Sequence, residues 1–151
     1  MSDSVAFPSA KKKQKETGAP GKARKTPIAG LRRYLSSEGY EILVGRSDSS
    51  NDQLTFRLAK PADIWFHTAD YPGSHVLVRN PERKPVPHKT ISEAAQLAAF
   101  FSKARNEKSA AVRYTERKNV SRPKNGRPGQ ALLTQFKTIM VAPQESGERL
   151  L

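Results

Sequence analysis

A group of polar side chains that could bind phosphate or transfer protons lies within nine residues in the middle of the chain. Apolar runs at residues 64–66 and 76–78 flank it. The group contains two imidazoles, a carboxylate, a glycine and a hydroxyl: His67, Asp70, Gly73, Ser74 and His75. Imidazole and hydroxyl groups bond to phosphates and bases, and a glycine admits a ligand close to the backbone. In a chain with 27 basic and 14 acidic residues, this pattern predicts a site for a polyanion.

Catalytic interpretations of the same residues compete with binding. The imidazoles of His67, His75 and His88 could hold zinc, but their spacing matches no compact metal motif. A hydrolase could use Ser74 as nucleophile and His67 as base, since the adjacent His75 would point to the opposite face of a strand. Neither a nucleophile elbow nor a Walker-type loop accompanies them. We therefore predict no catalytic residues, no metal and no cofactor. A purely structural role for the two turn histidines stays open.

A strand pair is needed to position this polar group. Residues 63–67 and 75–79 have the composition of strands, and the Asp70-Tyr71-Pro72-Gly73 segment between them has that of a turn. We expect an antiparallel hairpin in which Gly73 supplies a positive φ. Alternation places Trp65 on the opposite face from its two neighbours, and we expect Trp65 to lie in the core.

The remaining elements predict a single α+β domain. Strands are expected at residues 40–44, 111–115 and 138–141, and a short helix from residue 49 to Pro61. A longer helix over 90–105 begins at a predicted capping box, Thr90-Ile91-Ser92-Glu93, and its alanines and leucine recur at helical spacing. The β-α-β-β-α-β-β order indicates a mostly antiparallel sheet with both helices on one side. The longer helix is also long enough to connect two strands that pair in parallel.

A second basic feature, which we call the basic loop, covers residues 117–129. Glycines and prolines stiffen this segment, which predicts a semi-rigid platform for anions rather than a plain solvated surface. Its cations are Arg117, Lys118, Arg122, Lys124 and Arg127.

Composition limits the classes of protein to which the chain can belong. The 151 residues are 36% hydrophobic and carry a net charge of +13, an excess typical of proteins that bind nucleic acid, ribosomes or anionic membrane surfaces. No apolar run approaches the ~20 residues of a membrane span, and no secretory signal is expected. The chain has no cysteine, which fits the cytoplasm.

Charge and composition divide the chain into three predicted segments. Residues 1–27 carry seven basic and two acidic side chains and few large apolar ones, so we predict a disordered tail that holds five of the thirteen net charges. The tail either extends contact with a phosphate backbone or only aids solubility. The other eight charges fall on the remainder, where we predict a domain over 28–145 and a short flexible end over 146–151.

Several motifs resemble one known family. Trp65-Phe66-His67 followed by Pro72-Gly73-Ser74-His75-Val76 is similar to the signature of the NFACT-R family of RNA-binding domains. Residues 35–46, 51–55, 93–104 and 126–129 resemble further family segments in the same order, so the resemblance covers about residues 31–142. The chain departs from the family at Ser47, where an asparagine is expected.

The resemblance implies an RNA-binding module without catalysis of its own, with tRNA or ribosomal RNA as its ligand. A role beside a quality-control or RNA-modifying machine is a further implication. Longer family members bind the large ribosomal subunit and tRNA and extend stalled nascent chains. We expect a monomer in the cytoplasm that makes no membrane contact.

The predicted RNA-binding site joins the polar turn to the basic loop. Asp70 is expected to orient a histidine or to cap the turn, because a carboxylate repels phosphate. The predicted site residues are Arg46, Asn51, His67, Asp70, Gly73, Ser74, His75, Arg117, Lys118, Arg122, Lys124 and Arg127. Two alternatives remain: a hydrolase of nucleic acid that uses His67, Ser74 and His75, and a basic protein that docks on the ribosome with little selectivity.

Overall fold

The computed structural model describes residues 30–150, which form a seven-stranded sheet, a two-stranded hairpin and two main helices. The strands are β1 (Leu31–Leu35), β2 (Glu41–Gly45), β3 (Ile64–Thr68), β4 (Val76–Val78), β5 (Ala110–Glu116), β6 (Val120–Ser121), β7 (Leu132–Leu133), β8 (Lys137–Val141) and β9 (Glu148–Arg149). The helical segments are α1 (Asp48–Gln53), a π-helical turn (Leu54–Leu58), α2 (His88–Phe100) and a 3₁₀ turn (Arg117–Asn119). No helix within residues 30–150 is long and apolar enough to cross a membrane. The predicted tail, residues 1–27, lies outside the described residues.

The sheet has the strand order β9-β1-β2-β4-β3-β5-β8, and all its pairs are antiparallel. β3 and β4 pair across the polar turn, with Trp65 opposite Leu77 and Phe66 opposite Val76. The predicted α+β domain, its antiparallel sheet and this hairpin are confirmed. α2 joins β4 to β5, which run in the same direction with β3 between them, so the long helix crosses over without making a parallel pair.

The centre of the sheet is buried on both faces because each face has its own cover. Phe66 and Val76 belong to the core that packs under α2, whereas Trp65 and Leu77 pack with Leu54 of the π-helical turn on the other face. The prediction that both helices lie on one side is therefore wrong. The central strands are apolar at consecutive positions, and such strands need a cover on each face.

α2 begins and ends earlier than predicted. Its N-cap is Pro87, which makes no side-chain capping bond, so the capping box predicted from Thr90 is wrong. Thr90 is fully buried, and its hydroxyl donates to Glu38 Oε1 at 2.7 Å, which ties α2 to the β1–β2 turn. A capping box does form at α1, where Ser47 and Ser50 exchange hydrogen bonds.

The C-terminal segment supplies both edges of the sheet. β8 pairs with β5, the chain then passes α2 where Ser146 Oγ donates to Gln96 Oε1, and β9 pairs with β1. The flexible end predicted over 146–151 thus contains a paired strand, and the Leu150 amide donates to the Arg33 carbonyl at 2.7 Å. β1 was also not predicted as a strand, because two arginines interrupt its apolar pattern.

Candidate nucleic-acid interface

His75 and Asn51 hold the polar turn in place from inside the protein. The His75 imidazole is 2% exposed, and its Nδ1 lies 2.7 Å from Thr55 Oγ1, which also accepts from the Trp65 indole at 2.9 Å. Asn51 Oδ1 accepts from the His75 backbone amide at 3.0 Å and packs against Gly45. For these two side chains, burial favours the structural role that the sequence left open over direct contact with RNA. Because both are buried, they act as positioning residues for the start of β4.

Burial also decides the charge of the two turn histidines. Burial, together with the neighbouring His67 imidazole, lowers the pKa of His75 to about 3. Burial lowers the pKa of His67 as well, and hydrogen bonding to the backbone of Thr68 and Gly73 only partly opposes this. Both imidazoles are therefore neutral at pH 7 and offer a donor and an acceptor rather than a positive charge. No group of three His, Asp or Glu side chains that could hold a metal ion occurs within residues 30–150.

The turn after β3 uses its glycine for close packing. The positive φ predicted for Gly73 occurs instead at the exposed Asp70, where φ is 67°. Gly73 forms a β-bridge with Ser102, and a Cβ at Gly73 would lie 2.6 Å from Ser102 Cβ. The Ser74 amide donates to the Phe101 carbonyl at 3.0 Å, so the end of α2 holds the turn. In the described part of the chain, no hydrogen bond links Asp70 to a histidine.

A groove of about 400 Å³ opens beside this turn, and we call it the turn groove. It is lined by Arg46, Ser47, Asp48, Asn51, residues 72–74, residues 100–103 and Arg105. The structure thus brings together four of the predicted residues: Arg46, Asn51, Gly73 and Ser74. The Ser74 hydroxyl bonds to neither His67 nor His75 within the described residues, so the alternative nucleophile–base pair is not assembled there.

Positive charge dominates the turn groove. Arg46, Lys103 and Arg105 are exposed, and none of them pairs with a carboxylate among residues 30–150. The guanidinium groups of Arg105 and Arg32 lie 4.0 and 4.4 Å from the ring centroids of two phenylalanines at the end of α2. Arg32 Nε is buried without a hydrogen-bond partner in the described structure, and burial and Arg46 together lower the pKa of Arg32. Sequence reasoning missed Lys103 and Arg105, which line the groove, and Arg32, which adjoins it through Phe101 and Arg46.

The structure separates Arg117 and Lys118 from the polar turn. Arg117 NH1 donates to the Val120 carbonyl at 2.9 Å, its Nε donates to the Thr55 carbonyl, and burial lowers its pKa. Lys118 pairs with Glu116 at 3.1 Å. The backbone amides of both residues bond to the segment just before β3, whereas the polar turn follows β3. A five-residue strand spans about 17 Å, so the backbone of these two residues lies at the far end of β3 from the polar turn, although the Arg117 side chain reaches Thr55, which contacts His75.

The hairpin tip, residues 122–131 between β6 and β7, carries the other three predicted cations: Arg122, Lys124 and Arg127. Asp52 of α1 anchors the tip, because it accepts from Arg122 NH1 at 3.0 Å and from the Gly129 amide at 3.2 Å. Gly129 also packs against Asp48, which lines the turn groove, so the two surfaces adjoin. Lys124 and Arg127 are exposed and pair with no carboxylate in the described range.

A second cavity, of about 310 Å³, lies beneath this hairpin, and we call it the hairpin pocket. Its lining consists of Trp65, His67, Thr68, Arg113, residues 131–133 and Phe136. The rings of Trp65 and His67 are nearly parallel, with centroids 6.0 Å apart. Phe136 is 45% exposed, and the Arg113 guanidinium lies 4.8 Å from its ring centroid. Of the predicted site residues, His67 is the one that reaches this pocket.

Comparisons with known proteins find relatives of this chain. The Rqc2 homolog RqcH of Bacillus subtilis is 42% identical over 113 residues, which cover 75% of this chain and 19% of that protein. The ribosome quality control complex subunit NEMF of Homo sapiens is 33% identical over 107 residues, 66% of this chain and 10% of that protein. The chain therefore spans a fifth or less of the length of these relatives.

A solved structure and a family model match the same region. The structure of the C-terminal part of the fibronectin/fibrinogen-binding protein from Streptococcus suis has a TM-score of 0.72 and 38% sequence identity, and the match covers 82% of this chain and 50% of that chain. The family model described as the NFACT protein RNA binding domain matches residues 31–134. The chain belongs to the NFACT protein RNA-binding domain family.

Proposed function

We propose that this domain is an RNA-binding module without catalysis of its own, which acts in ribosome quality control and has tRNA or ribosomal RNA as its ligand. The family description names RNA binding, and curated relatives bear the name of ribosome quality control subunits. The chain corresponds to only a small part of those relatives, so the proposal concerns binding and not their whole activity. It includes the expectation that the protein acts as a cytoplasmic monomer.

The unpaired positive charge of the turn groove carries this proposal. Arg32 and Arg46 lie close enough for Arg46 to lower the pKa of Arg32, and neither has an ion-pair partner within residues 30–150. Cations crowded in this way repel one another until an anion lies between them. Arg105 and Arg32 stack on aromatic rings, which holds their planar groups ready for phosphate oxygens.

The hairpin tip extends the same positive surface. It adjoins the turn groove through the contact of Gly129 with Asp48, and it adds the exposed cations Lys124 and Arg127. An RNA backbone that follows the turn groove and the hairpin tip contacts several cations in succession, and such phosphate contacts make RNA binding depend on salt. Both surfaces are tied to α1, the polar turn through Asn51 and the hairpin tip through Asp52.

The salt dependence of RNA affinity tests the proposal. In the Arg46→Ala, Lys103→Ala, Arg105→Ala triple variant, the slope of log affinity against log salt for an unstructured RNA should become shallower by about 2, because each phosphate contact on a single strand contributes about 0.7. The control removes three exposed lysines at the opposite end of the sheet, Lys60, Lys84 and Lys89.

An equal change of slope in both triple variants would show that only net charge matters and would reject the turn groove as the site. The same titrations with tRNA, ribosomal RNA and duplex DNA test selectivity. Equal affinity for all three would support the alternative of a basic protein that docks with little selectivity.

A further inference from the structure

We propose that the hairpin pocket binds a single unstacked nucleobase of the RNA whose phosphates contact the neighbouring cations. This rests on the proposed function but concerns a different contact, one made with a base rather than with the backbone. The pocket consists of a stacking pair, Arg113 and Phe136, above an apolar floor, with one neutral imidazole at its side.

Arg113 and Phe136 provide the stacking surface. The Phe136 ring, in the loop just before β8, is 45% exposed. The guanidinium of the exposed Arg113 lies over this ring, 4.8 Å from its centroid, and pairs with no carboxylate among the described residues. Planar aromatic and guanidinium groups are the surfaces on which unpaired bases stack in proteins.

The floor and the size of the pocket fit one base. Trp65 is 3% exposed and lies at the bottom, and residues 131–133 form an apolar side. A volume of about 310 Å³ is at the lower end of ligand pockets, which suits one planar ring and excludes a duplex. Burial keeps His67 neutral, so its ring adds a polar but uncharged side to the pocket, while its own hydrogen bonds go to the backbone of Thr68 and Gly73.

The charge distribution favours a base over a phosphate in this pocket. Arg113 is the one cation in the lining, and its planar face is engaged with Phe136. The exposed cations Lys124 and Arg127 lie outside the pocket, on the hairpin tip, which shares Ala131 with the pocket lining. A strand whose phosphates contact Lys124 and Arg127 therefore runs beside the opening. Bases in a duplex are stacked within the helix, so this contact requires an unpaired nucleotide.

Fluorescence anisotropy with two RNA probes tests the base pocket. The probes are an unstructured RNA of about ten nucleotides, which is within the usual single-strand site size, and a duplex of the same sequence. Phe136→Ala should lower the affinity for the unstructured RNA about tenfold, as expected for one lost stacking contact, and leave the duplex affinity unchanged. The salt slope should not change, because no phosphate contact is removed. Phe136→Tyr should bind like the wild type, and so should the control Met140→Ala, which removes an exposed apolar side chain outside the pocket.

Three results would overturn the base pocket. The first is a Phe136→Ala variant whose affinity for the unstructured RNA stays within about twofold of the wild type, where about tenfold is expected. The second is an equal loss of affinity for the single strand and the duplex. The third is a wild-type protein that binds neither probe, and only this result also rejects the proposed function.

Discussion

Acid should destabilise this domain through His75, because the folded protein keeps that imidazole neutral. The side chain is 2% exposed, and burial with the neighbouring His67 lowers its pKa to about 3. In the unfolded chain the same group titrates near its ordinary value of about 6.5. Between these two pH values the unfolded state binds a proton that the folded state does not, so the free energy of unfolding falls as the pH falls.

The size of this effect follows from the two pKa values. The stabilising contribution of neutral His75 is complete above about pH 6.5 and is lost progressively as the pH falls toward 3. Each pH unit inside this window costs up to about 1.4 kcal/mol, so a change from pH 7 to pH 5 costs about 2 kcal/mol. His67, whose pKa is also lowered by burial, acts in the same direction. Most ordinary carboxylates stay ionised above pH 5 and contribute little there.

Urea unfolding at pH 7, 6 and 5 measures this loss. The wild type and the control His88→Gln, which changes an exposed histidine, should each lose at least about 2 kcal/mol. His75→Gln should be less stable at pH 7, because Thr55 loses its partner, but it should lose far less on acidification. The same acid loss in His75→Gln as in the wild type would refute the assignment to His75.

The same variant also separates a positioning role from direct RNA contact. At pH 7 and low temperature, where His75→Gln is still folded, its RNA affinity should stay close to that of the wild type. Full stability with a large loss of RNA affinity would contradict the buried role and place the imidazole in the binding surface.

Two further substitutions test how the turn and α2 are held. Gly73→Ala should lower the free energy of unfolding by about 1–3 kcal/mol, because the new methyl group would lie 2.6 Å from Ser102 Cβ. Adding Ser102→Gly should restore part of this stability, and no recovery in the double variant would contradict the packing role of Gly73. Thr90→Val should lower the free energy of unfolding by about 1–2 kcal/mol, because a buried hydroxyl that donates to Glu38 is lost. In the same chemical denaturation assay, the control Ser92→Ala, at a partly exposed position, should change it by less than about 0.5 kcal/mol. Equal effects would reject the link between α2 and the β1–β2 turn.

Local patterns were sufficient to predict the hairpin at the centre of the site. The composition of residues 63–67 and 75–79 and the Pro-Gly turn between them predict that these strands form a hairpin, and the structure has this hairpin. The spacing of alanines predicted α2 in the same way, apart from its ends. These features depend on neighbours in sequence, which a single chain displays directly.

Long-range contacts determine the features that the sequence did not reveal. Gly73 is required by Ser102, which is distant in sequence, and His75 is buried by Thr55, which arrives from the π-helical turn. A histidine beside a Pro-Gly turn has the same local pattern whether it is buried or exposed. One signal was available: a helix that connects β4 to β5 must end where β3 ends, and this places Lys103 and Arg105 beside the turn.

Both edges of the seven-stranded sheet come from residues after 134, where the match to the family ends. β8 covers the backbone of β5, and β9 covers that of β1. A chain shortened to the matched segment would leave two strands with open rows of amide and carbonyl groups, on opposite sides of the molecule. Such rows pair readily with other chains, and a molecule with two of them can join neighbours in both directions. The last sixteen described residues thus pair the backbone of β5 and β1, and we expect a protein shortened before them to self-associate, which a binding assay would mistake for a change in RNA affinity.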